Sequence, residues 1–295
     1  MLATLAYADI FDYPLTLVQV HQFLIGQKAQ FGDVKKTVER LAADSKIEKH
    51  FSLYHLPKRG QIVGIRRQRA KFYLEKITTA RRSARPLQFL PQIKLIGVSG
   101  GLAVANANCE DDIDFFIITA TSRLWTGRLL ATALLSLFGL RRTPESKKLT
   151  DKICLNMFID EKKMEITPHD LYLAHEVLQM QPILVKGNIY KRFLAANSWA
   201  YQFLPNWRRT APIVNGEGWS QSKSFSFSTP SLYIETLARR FQLNYMAKRR
   251  TIEKITPTKL QFHPQDVHHQ VLKTYLQKLK ELNLSPQTQS GKVGA

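Results

Sequence analysis

The sequence predicts an α/β protein of the α+β type, with a small mixed sheet between a helical module before it and helices after it. The middle of the chain contains short apolar runs typical of buried strands, such as "IKLIGV", "DIDFFIIT" and "KICLNMFI". Both ends show apolar residues at helical spacing instead. With 295 residues and 44% hydrophobic content, the chain is long enough for two or three small domains, each with its own core.

Residues 1–60 predict three helices followed by a small β-hairpin. Pro14 ends the first helix, and Thr16 is suited to cap the start of the second. In the third helix Val34 and Val38 fall at helical spacing. The basic residues on its outer side are Lys35, Lys36 and Arg40.

This order of elements resembles a winged helix-turn-helix module. In that family the third helix enters the major groove, so the resemblance implies nucleic-acid binding by Lys35, Lys36 and Arg40. A winged helix used only for packing or for protein contacts explains the same pattern, and the sequence leaves this alternative open.

Residues 61–90 predict a basic helical connector, because Arg and Lys dominate the run "GIRRQRAKFYLEKITTARRSAR" until Pro86 and Pro91 end it. The whole chain carries a formal charge of +20, which favours a polyanionic partner such as nucleic acid or a nucleotide. A solvated linker face and a generally basic surface are the alternatives.

Residues 91–166 predict the α/β core, and residues 167–295 predict a helical domain. Within the latter, residues 208–231 are rich in Ser and Gly and indicate a polar loop. Two cysteines without metal-ligand spacing indicate a reducing compartment. The longest apolar run, "LLATALLSLFGL", is too short to span a bilayer, so we expect a cytoplasmic protein without a membrane partner.

Two carboxylates stand close together at the start of one predicted strand. Asp112 and Asp114 are two residues apart, so their side chains point to the same side while Ile113 points to the other. Like charges held roughly 6–7 Å apart repel each other unless a cation lies between them. The pair therefore predicts a site for Mg²⁺ or Mn²⁺, which prefer oxygen ligands.

A glycine turn precedes the carboxylates and supplies a second feature of a phosphate site. Ser99, Gly100 and Gly101 leave backbone N–H groups unobstructed, and these can approach phosphate oxygens. Arg123 and Arg128, at the start of the next helix, are candidates for contacts with a triphosphate, although arginines that only keep a helix soluble look the same.

Together, Gly100-Gly101, the spacer and Asp112-Ile113-Asp114 resemble the signature of the DNA polymerase beta-like nucleotidyltransferase superfamily. The resemblance implies a nucleotidyltransferase core that binds an NTP and transfers its NMP to an acceptor hydroxyl. It also implies that Asp112 and Asp114 are catalytic metal ligands and that Ser99, Gly100 and Gly101 hold nucleotide phosphates.

Active members of this superfamily carry a third carboxylate on a later strand. The matching strand here has Asn156 at its centre, so Asp160 at its end, or Asp151 before it, is expected to substitute as a catalytic group. Chemistry with one metal ion and no third carboxylate is an alternative. Asn156 alone beside the pair would favour a second hypothesis, a nucleic-acid-binding regulator with an inactive transferase-like domain. Farther along the chain, Asp170 is expected to cap a helix, and a metal site around His268 is disfavoured.

Overall fold

The structure is a computed structural model, which describes residues 1–143, 149–209, 232–247, 254–256, 258–261 and 265–285. It confirms the predicted mixed α/β class. From residue 210 onward, the predicted polar loop 208–231 lies outside the described residues.

The N-terminal module has the predicted order of three helices and a hairpin, with one additional short strand. Its elements are α1 (Leu2–Asp9), β1 (Leu15–Thr16), α2 (Leu17–Gln22), α3 (Phe31–Ala43), β2 (Glu48–His50) and β3 (Leu53–His55). Thr16 caps α2 through a reciprocal capping box with Gln19, as its position predicts. The three strands form a small antiparallel sheet in the order β1-β3-β2.

The basic connector is one long helix, α4 (Gln61–Ala84), followed by a 3-10 turn at Arg85–Phe89. Two of its arginines hold the N-terminal module against the core. The guanidinium of Arg66 donates to the carbonyl of Pro14 and lies 4.2 Å from the centre of the Tyr13 ring. Arg69 donates to the carbonyl of Phe11 and to Asn106. These two arginines are therefore structural contacts rather than a solvated face.

The core sheet combines strands from the middle of the chain with strands that follow later helices. The elements up to its central strands are β4 (Ile93–Val98), α5 (Gly100–Ala103), β5 (Ile113–Thr119), α6 (Leu124–Leu137) and β6 (Ile153–Asp160). The later ones are α7 (Leu171–Gln179), β7 (Gln181–Val185), α8 (Ile189–Ala196), α9 (Ala200–Phe203), α10 (Leu232–Ala247), β8 (Lys254–Ile255), β9 (Lys259–Gln261) and α11 (Gln265–Glu281).

Six strands of the described chain form this sheet, in the order β7-β4-β5-β6-β9-β8. β5 and β6 are parallel, and the other neighbours are antiparallel. The sequence pattern missed β7, because "QPILV" directly follows a helix and its apolar residues read as a continuation of that helix. It becomes a strand by pairing with the exposed edge of β4.

Each face of the sheet packs against its own helices. On one face, apolar side chains such as Phe116 and Ile159 share a core with α7, α8, α11 and the N-terminal module. On the opposite face, Phe115, Ile117 and Phe158 pack with α4, α6 and α10. The N-terminal module is thus part of one continuous core with the face that carries Phe116.

Ion pairs of the buried Asp9 hold the N-terminal module together and join it to the distant helix α11. Asp9 is 4% exposed and accepts hydrogen bonds from Arg59 at 2.6 Å and from Lys278 of α11 at 2.6 Å. A buried carboxylate with two cationic partners fixes the orientation of α1 relative to α11.

None of the helices within the described ranges has both the length and the apolar character required to cross a bilayer.

Candidate active site

The predicted carboxylate pair lies at the N-terminal end of β5. Ile113 is fully buried, and Asp112 and Asp114 on either side of it are only partly buried. Asp114 shares a face of the sheet with Phe116, and this is the face covered by α7. The alternation of one strand therefore sets both carboxylates on the same side, as the sequence predicts.

The parallel neighbour β6 adds a cysteine that sequence reasoning missed. Cys154 is the register partner of Asp114, and ligand atoms of Asp112, Asp114 and Cys154 all lie within 4.8 Å of one another. Burial, followed by the charges of Asp114 and Asp112, raises the pKa of the Cys154 thiol. The thiol is therefore protonated at neutral pH and is a weak metal ligand in that form.

An arginine also reaches the pair. Arg142 follows α6, and its Nη1 donates to Oδ2 of Asp112 at 2.7 Å. Burial lowers the pKa of this guanidinium, but the hydrogen bond and charge of Asp112 outweigh it, so the pKa is raised. In the sequence, Arg141 and Arg142 both follow an apolar helix, and nothing in the pattern distinguishes them. The fold places Arg142 beside Asp112.

The glycine turn lies directly beside Asp114. The backbone N–H of Ser99 donates to the carbonyl of Asp114 at 3.1 Å. Gly100 has a φ of +66°, and a Cβ at this position would lie 3.3 Å from Oδ2 of Asp114. Any larger residue would therefore be strained and would crowd the carboxylate. The turn and the pair therefore lie side by side, as their spacing predicts.

A cavity of about 270 Å³ opens over this site. Its walls include Ser99, Gly100 and Asp114 from the sheet side and Tyr172 and Glu176 from α7. The buried Oγ of Ser99 has no hydrogen-bond partner among the described residues. The charge of Glu176, followed by burial and the charge of Asp114, raises the pKa of Tyr172, so its phenol keeps its proton.

Asn156 occupies the place where the resemblance expects a third carboxylate. It lines the same cavity, and its buried Oδ1 also lacks a partner within the described residues. An amide oxygen is a neutral and weaker metal ligand than a carboxylate, and it is no base. In place of an acid, β6 therefore offers Asn156 to the cavity and Cys154 to the carboxylate pair.

A histidine and an aspartate come together at the edge of the cavity. Oδ1 of Asp170 accepts the backbone N–H of Leu173 at 3.0 Å, which confirms its predicted capping role. Its other oxygen, Oδ2, lies 2.7 Å from Nε2 of His268 in α11. His268 lines the cavity together with Asp114. Asp170 and His268 are 98 positions apart, so only the tertiary fold reveals this Asp-His pair.

Asp160 does not complete the carboxylate site, which corrects the expectation from sequence. In the parallel register it stands opposite Thr119, at the far end of β5 and roughly 17 Å along the strand from Asp114. Its carboxylate accepts the N–H groups of Ser122 and Lys162 at 2.6 and 2.8 Å. Asp160 therefore stabilises the turn after β5.

The two arginines expected to bind a triphosphate also lie away from the glycine turn. Arg123 follows the Thr119 end of β5 and donates to the carbonyl of Ser122 at 3.0 Å. Arg128 lies in α6 and donates to Gln242 of α10 at 2.5 Å. Because α6 packs on the face of the sheet opposite Asp114, the fold does not bring either residue to the pair.

Asp151, the other expected substitute, is engaged elsewhere although it lies close in the fold. Its Oδ1 is 2.8 Å from Nζ of Lys76, which is 2% exposed and also donates to the carbonyl of Asp111. The carboxylate therefore neutralises a buried lysine beneath the loop that carries the pair.

The candidate nucleic-acid-binding residues of α3 lie where the helical pattern places them. Lys35, Lys36 and Arg40 are all exposed, while Val34 and Val38 are buried on the opposite side. Lys35 is 4.0 Å from Glu39. The outer face of α3 thus carries three cations, and nucleic-acid binding by them stays a prediction.

The donor set suits one divalent cation. Asp112 and Asp114 offer charged oxygens within 4.8 Å of each other, and Asn156, with its uncharged amide, lines the same cavity as Asp114. Mg²⁺ commonly uses one or two carboxylates and takes its remaining ligands from water and phosphate. The protonated thiol of Cys154 and the guanidinium of Arg142 are the two features that depart from an all-oxygen site.

Searches with protein-family models, among curated proteins and among solved structures found nothing that matches this chain.

Proposed function

We propose that this protein is a metal-dependent nucleotidyltransferase, which transfers NMP from an NTP to an acceptor hydroxyl. The acceptor oxygen forms a bond to the α-phosphorus, the bond from that phosphorus to the bridging oxygen breaks, and pyrophosphate leaves. The acceptor proton passes to a base. The reaction needs a triphosphate site, a cation site and a proton acceptor around one cavity.

The observation that carries this proposal is the contact between the glycine turn and the carboxylate pair. Gly100 approaches Asp114 so closely that a Cβ would touch the carboxylate, and both line one cavity. Backbone N–H groups of Gly100 and Gly101 can then hold phosphate oxygens while Asp112 and Asp114 hold the cation. When bound, a divalent ion neutralises charge on the triphosphate and on the transition state.

Asp170 and His268 supply the proton acceptor in this proposal. The 2.7 Å contact between Oδ2 of Asp170 and Nε2 of His268 fixes the ring, leaving Nδ1 for the acceptor proton. A neutral imidazole is an effective general base near neutral pH. This assignment explains how the chain can work with Asn156 in the place of a third carboxylate.

The test is transfer of label from each of the four α-³²P-labelled NTPs in the presence of Mg²⁺ or Mn²⁺. Cellular RNA, protein and small-molecule fractions serve as acceptors. We expect one fraction to become labelled, with at least a hundredfold loss in Asp114→Asn, since the substitution removes a ligand charge at nearly constant shape. The matched control is Asp111→Asn, which alters an exposed acid beside the pair. Absence of transfer with every NTP and every fraction would refute the proposal.

A second candidate function is nucleic-acid binding by a regulator with an inactive transferase-like domain. It is favoured by Cys154 and Asn156 on β6 and by the exposed cations of α3. In that case neutralising Lys36 and Arg40 together lowers DNA affinity and reduces its salt dependence by about two counterions. Asp114→Asn leaves that affinity unchanged, and no label transfer occurs.

A further inference from the structure

A second cavity, of about 240 Å³, lies on the other side of the glycine turn. It shares Gly100, Tyr172 and Glu176 with the cavity over the carboxylates. Sites that enclose a whole drug-sized ligand have roughly 300–1,000 Å³. This cavity is therefore of a size for one ring system, and it adjoins the place where the phosphates of an NTP would bind.

Five Phe and Tyr side chains line this second cavity, and four of them come from the N-terminal module. The aromatic side chains that line it are Tyr7, Phe11, Tyr13, Phe23 and Tyr172. Bases stack on such rings because each base presents a π face. The aromatic lining favours a flat heteroaromatic ligand over a sugar or a phosphate.

One wall carries a buried polar atom without a partner. His175 of α7 lines the cavity and is 6% exposed, and its Nε2 has no hydrogen-bond partner among the described residues. Its Nδ1 lies 2.8 Å from Nε2 of Gln179, and its ring stacks on Tyr7 at 4.3 Å. Burial lowers the pKa of His175 to about 3, so the ring is neutral. An unpaired buried nitrogen is costly and gains from a ligand that bonds to it.

The rim of the cavity is held in place before any ligand binds. The phenol of Tyr13 donates to the carbonyl of Val104 at 2.7 Å, and Nδ2 of Asn106 donates to the carbonyl of Phe11 at 2.9 Å. These bonds connect the end of α1 to the loop that follows the glycine turn. The N-terminal module is therefore a fixed wall of the site.

We propose that this second cavity binds the nucleobase of the NTP, between the aromatic side chains of the N-terminal module and His175. The inference rests on the proposed function, because it assumes that the phosphates lie at Gly100 and Gly101. It adds base selectivity to that function and assigns the N-terminal module a direct part in substrate binding.

Calorimetric titration with Mg²⁺ and each of ATP, GTP, CTP and UTP tests this inference. Inorganic tripolyphosphate and the four nucleosides serve as probes of the two halves of the site. The variants are Phe11→Ala, whose side chain is only partly buried, and His175→Phe, which keeps a stacking ring and removes both nitrogens. Phe89→Ala, at an aromatic residue that is 76% exposed, is the matched control.

We expect one NTP to bind better than the other three and better than tripolyphosphate. Phe11→Ala and His175→Phe should each weaken that NTP by about tenfold or more and leave tripolyphosphate binding unchanged. The Phe89→Ala control should bind like the wild type.

Two outcomes separate this inference from the proposed function. If tripolyphosphate and all four NTPs bind equally and neither variant changes this, the phosphate site stands and the base cavity is refuted. If neither tripolyphosphate nor any NTP binds, the proposed function fails. In that case the nucleosides test the base cavity alone. A nucleoside that binds the wild type and does not bind Phe11→Ala supports the base cavity. If no nucleoside binds the wild type, the base cavity is refuted together with the proposed function.

Discussion

Replacing Arg142 by Met should make the carboxylate site bind a divalent cation more tightly. In the absence of metal, the guanidinium of Arg142 is the neighbour that balances Asp112 at 2.7 Å. Arg142→Met keeps much of the aliphatic stem and removes that charge. The two carboxylates and the neutral thiol of Cys154 then lie together without that positive charge.

The size of the effect follows from the geometry. Carboxylate oxygens that lie within 4.8 Å of each other repel by about 3.5 kcal/mol at an effective dielectric constant of about 20. Solvent screens part of this repulsion, since the side chain of Arg142 is 36% exposed. We therefore expect the free energy of unfolding without metal to fall by about 2 kcal/mol, or roughly 3 °C in Tm.

Manganese binding should recover that loss, because the ion takes over the charge of the guanidinium. A gain of about 2 kcal/mol corresponds to roughly 30-fold tighter Mn²⁺ binding in Arg142→Met than in the wild type. The assay is calorimetric titration with Mn²⁺ alone, together with thermal unfolding with and without the ion. Arg240→Met, on the exposed side of α10, is the control for loss of one positive charge.

Unchanged or weaker Mn²⁺ binding in Arg142→Met would refute this reasoning. So would an equal rise in Tm with Mn²⁺ in Arg142→Met and in Asp112→Asn/Asp114→Asn, because the ion would then bind elsewhere.

Three further predictions concern buried or paired groups. Burial lowers the pKa of His175, so below pH 6.5 the unfolded chain takes up a proton that the folded chain does not, and stability falls as pH falls. We expect this residue to cost about 2 kcal/mol of stability between pH 6.5 and 5. In urea unfolding the pH dependence should therefore become flatter in His175→Phe and stay unchanged in His269→Phe. Asp151→Asn should lower the free energy of unfolding by roughly 1.5–3 kcal/mol, because it leaves the buried ammonium of Lys76 without its carboxylate. Adding Lys76→Met to that variant should restore much of the lost stability, whereas additive losses in chemical denaturation would contradict the pairing. In the label-transfer assay His268→Ala should reduce kcat by about a hundredfold with little change in KM. Added imidazole should restore part of the rate, whereas a purely structural role of His268 would give no rescue.

The sequence predicted the part of the candidate site that depends on residues close together along the chain. Asp112 and Asp114 share a face because a strand alternates, and Gly100 lies beside them because β4, which ends just before it, pairs antiparallel with β5. Neither conclusion needs knowledge of distant contacts. The mixed α/β class followed from the same local patterns.

The rest of the site depends on strand register and helix packing, which the residue pattern does not specify. Asp160 was expected to substitute for the third carboxylate, but the parallel alignment of β5 and β6 sets it opposite Thr119 and sets Cys154 opposite Asp114. His268 reaches the cavity only because α11 packs beside α7, and no local signal distinguishes it from a surface histidine. Likewise, β7 exists because β4 has an edge to pair with.

The central claim is that Asp112 and Asp114 hold a divalent cation beneath a triphosphate at the glycine turn. Electron paramagnetic resonance of Mn²⁺, titrated into the protein with the best-binding NTP, measures this directly. We expect one protein-bound Mn²⁺ per chain in the wild type and none at the same concentrations in Asp112→Asn/Asp114→Asn. Equal binding of Mn²⁺ by the two proteins would contradict the account.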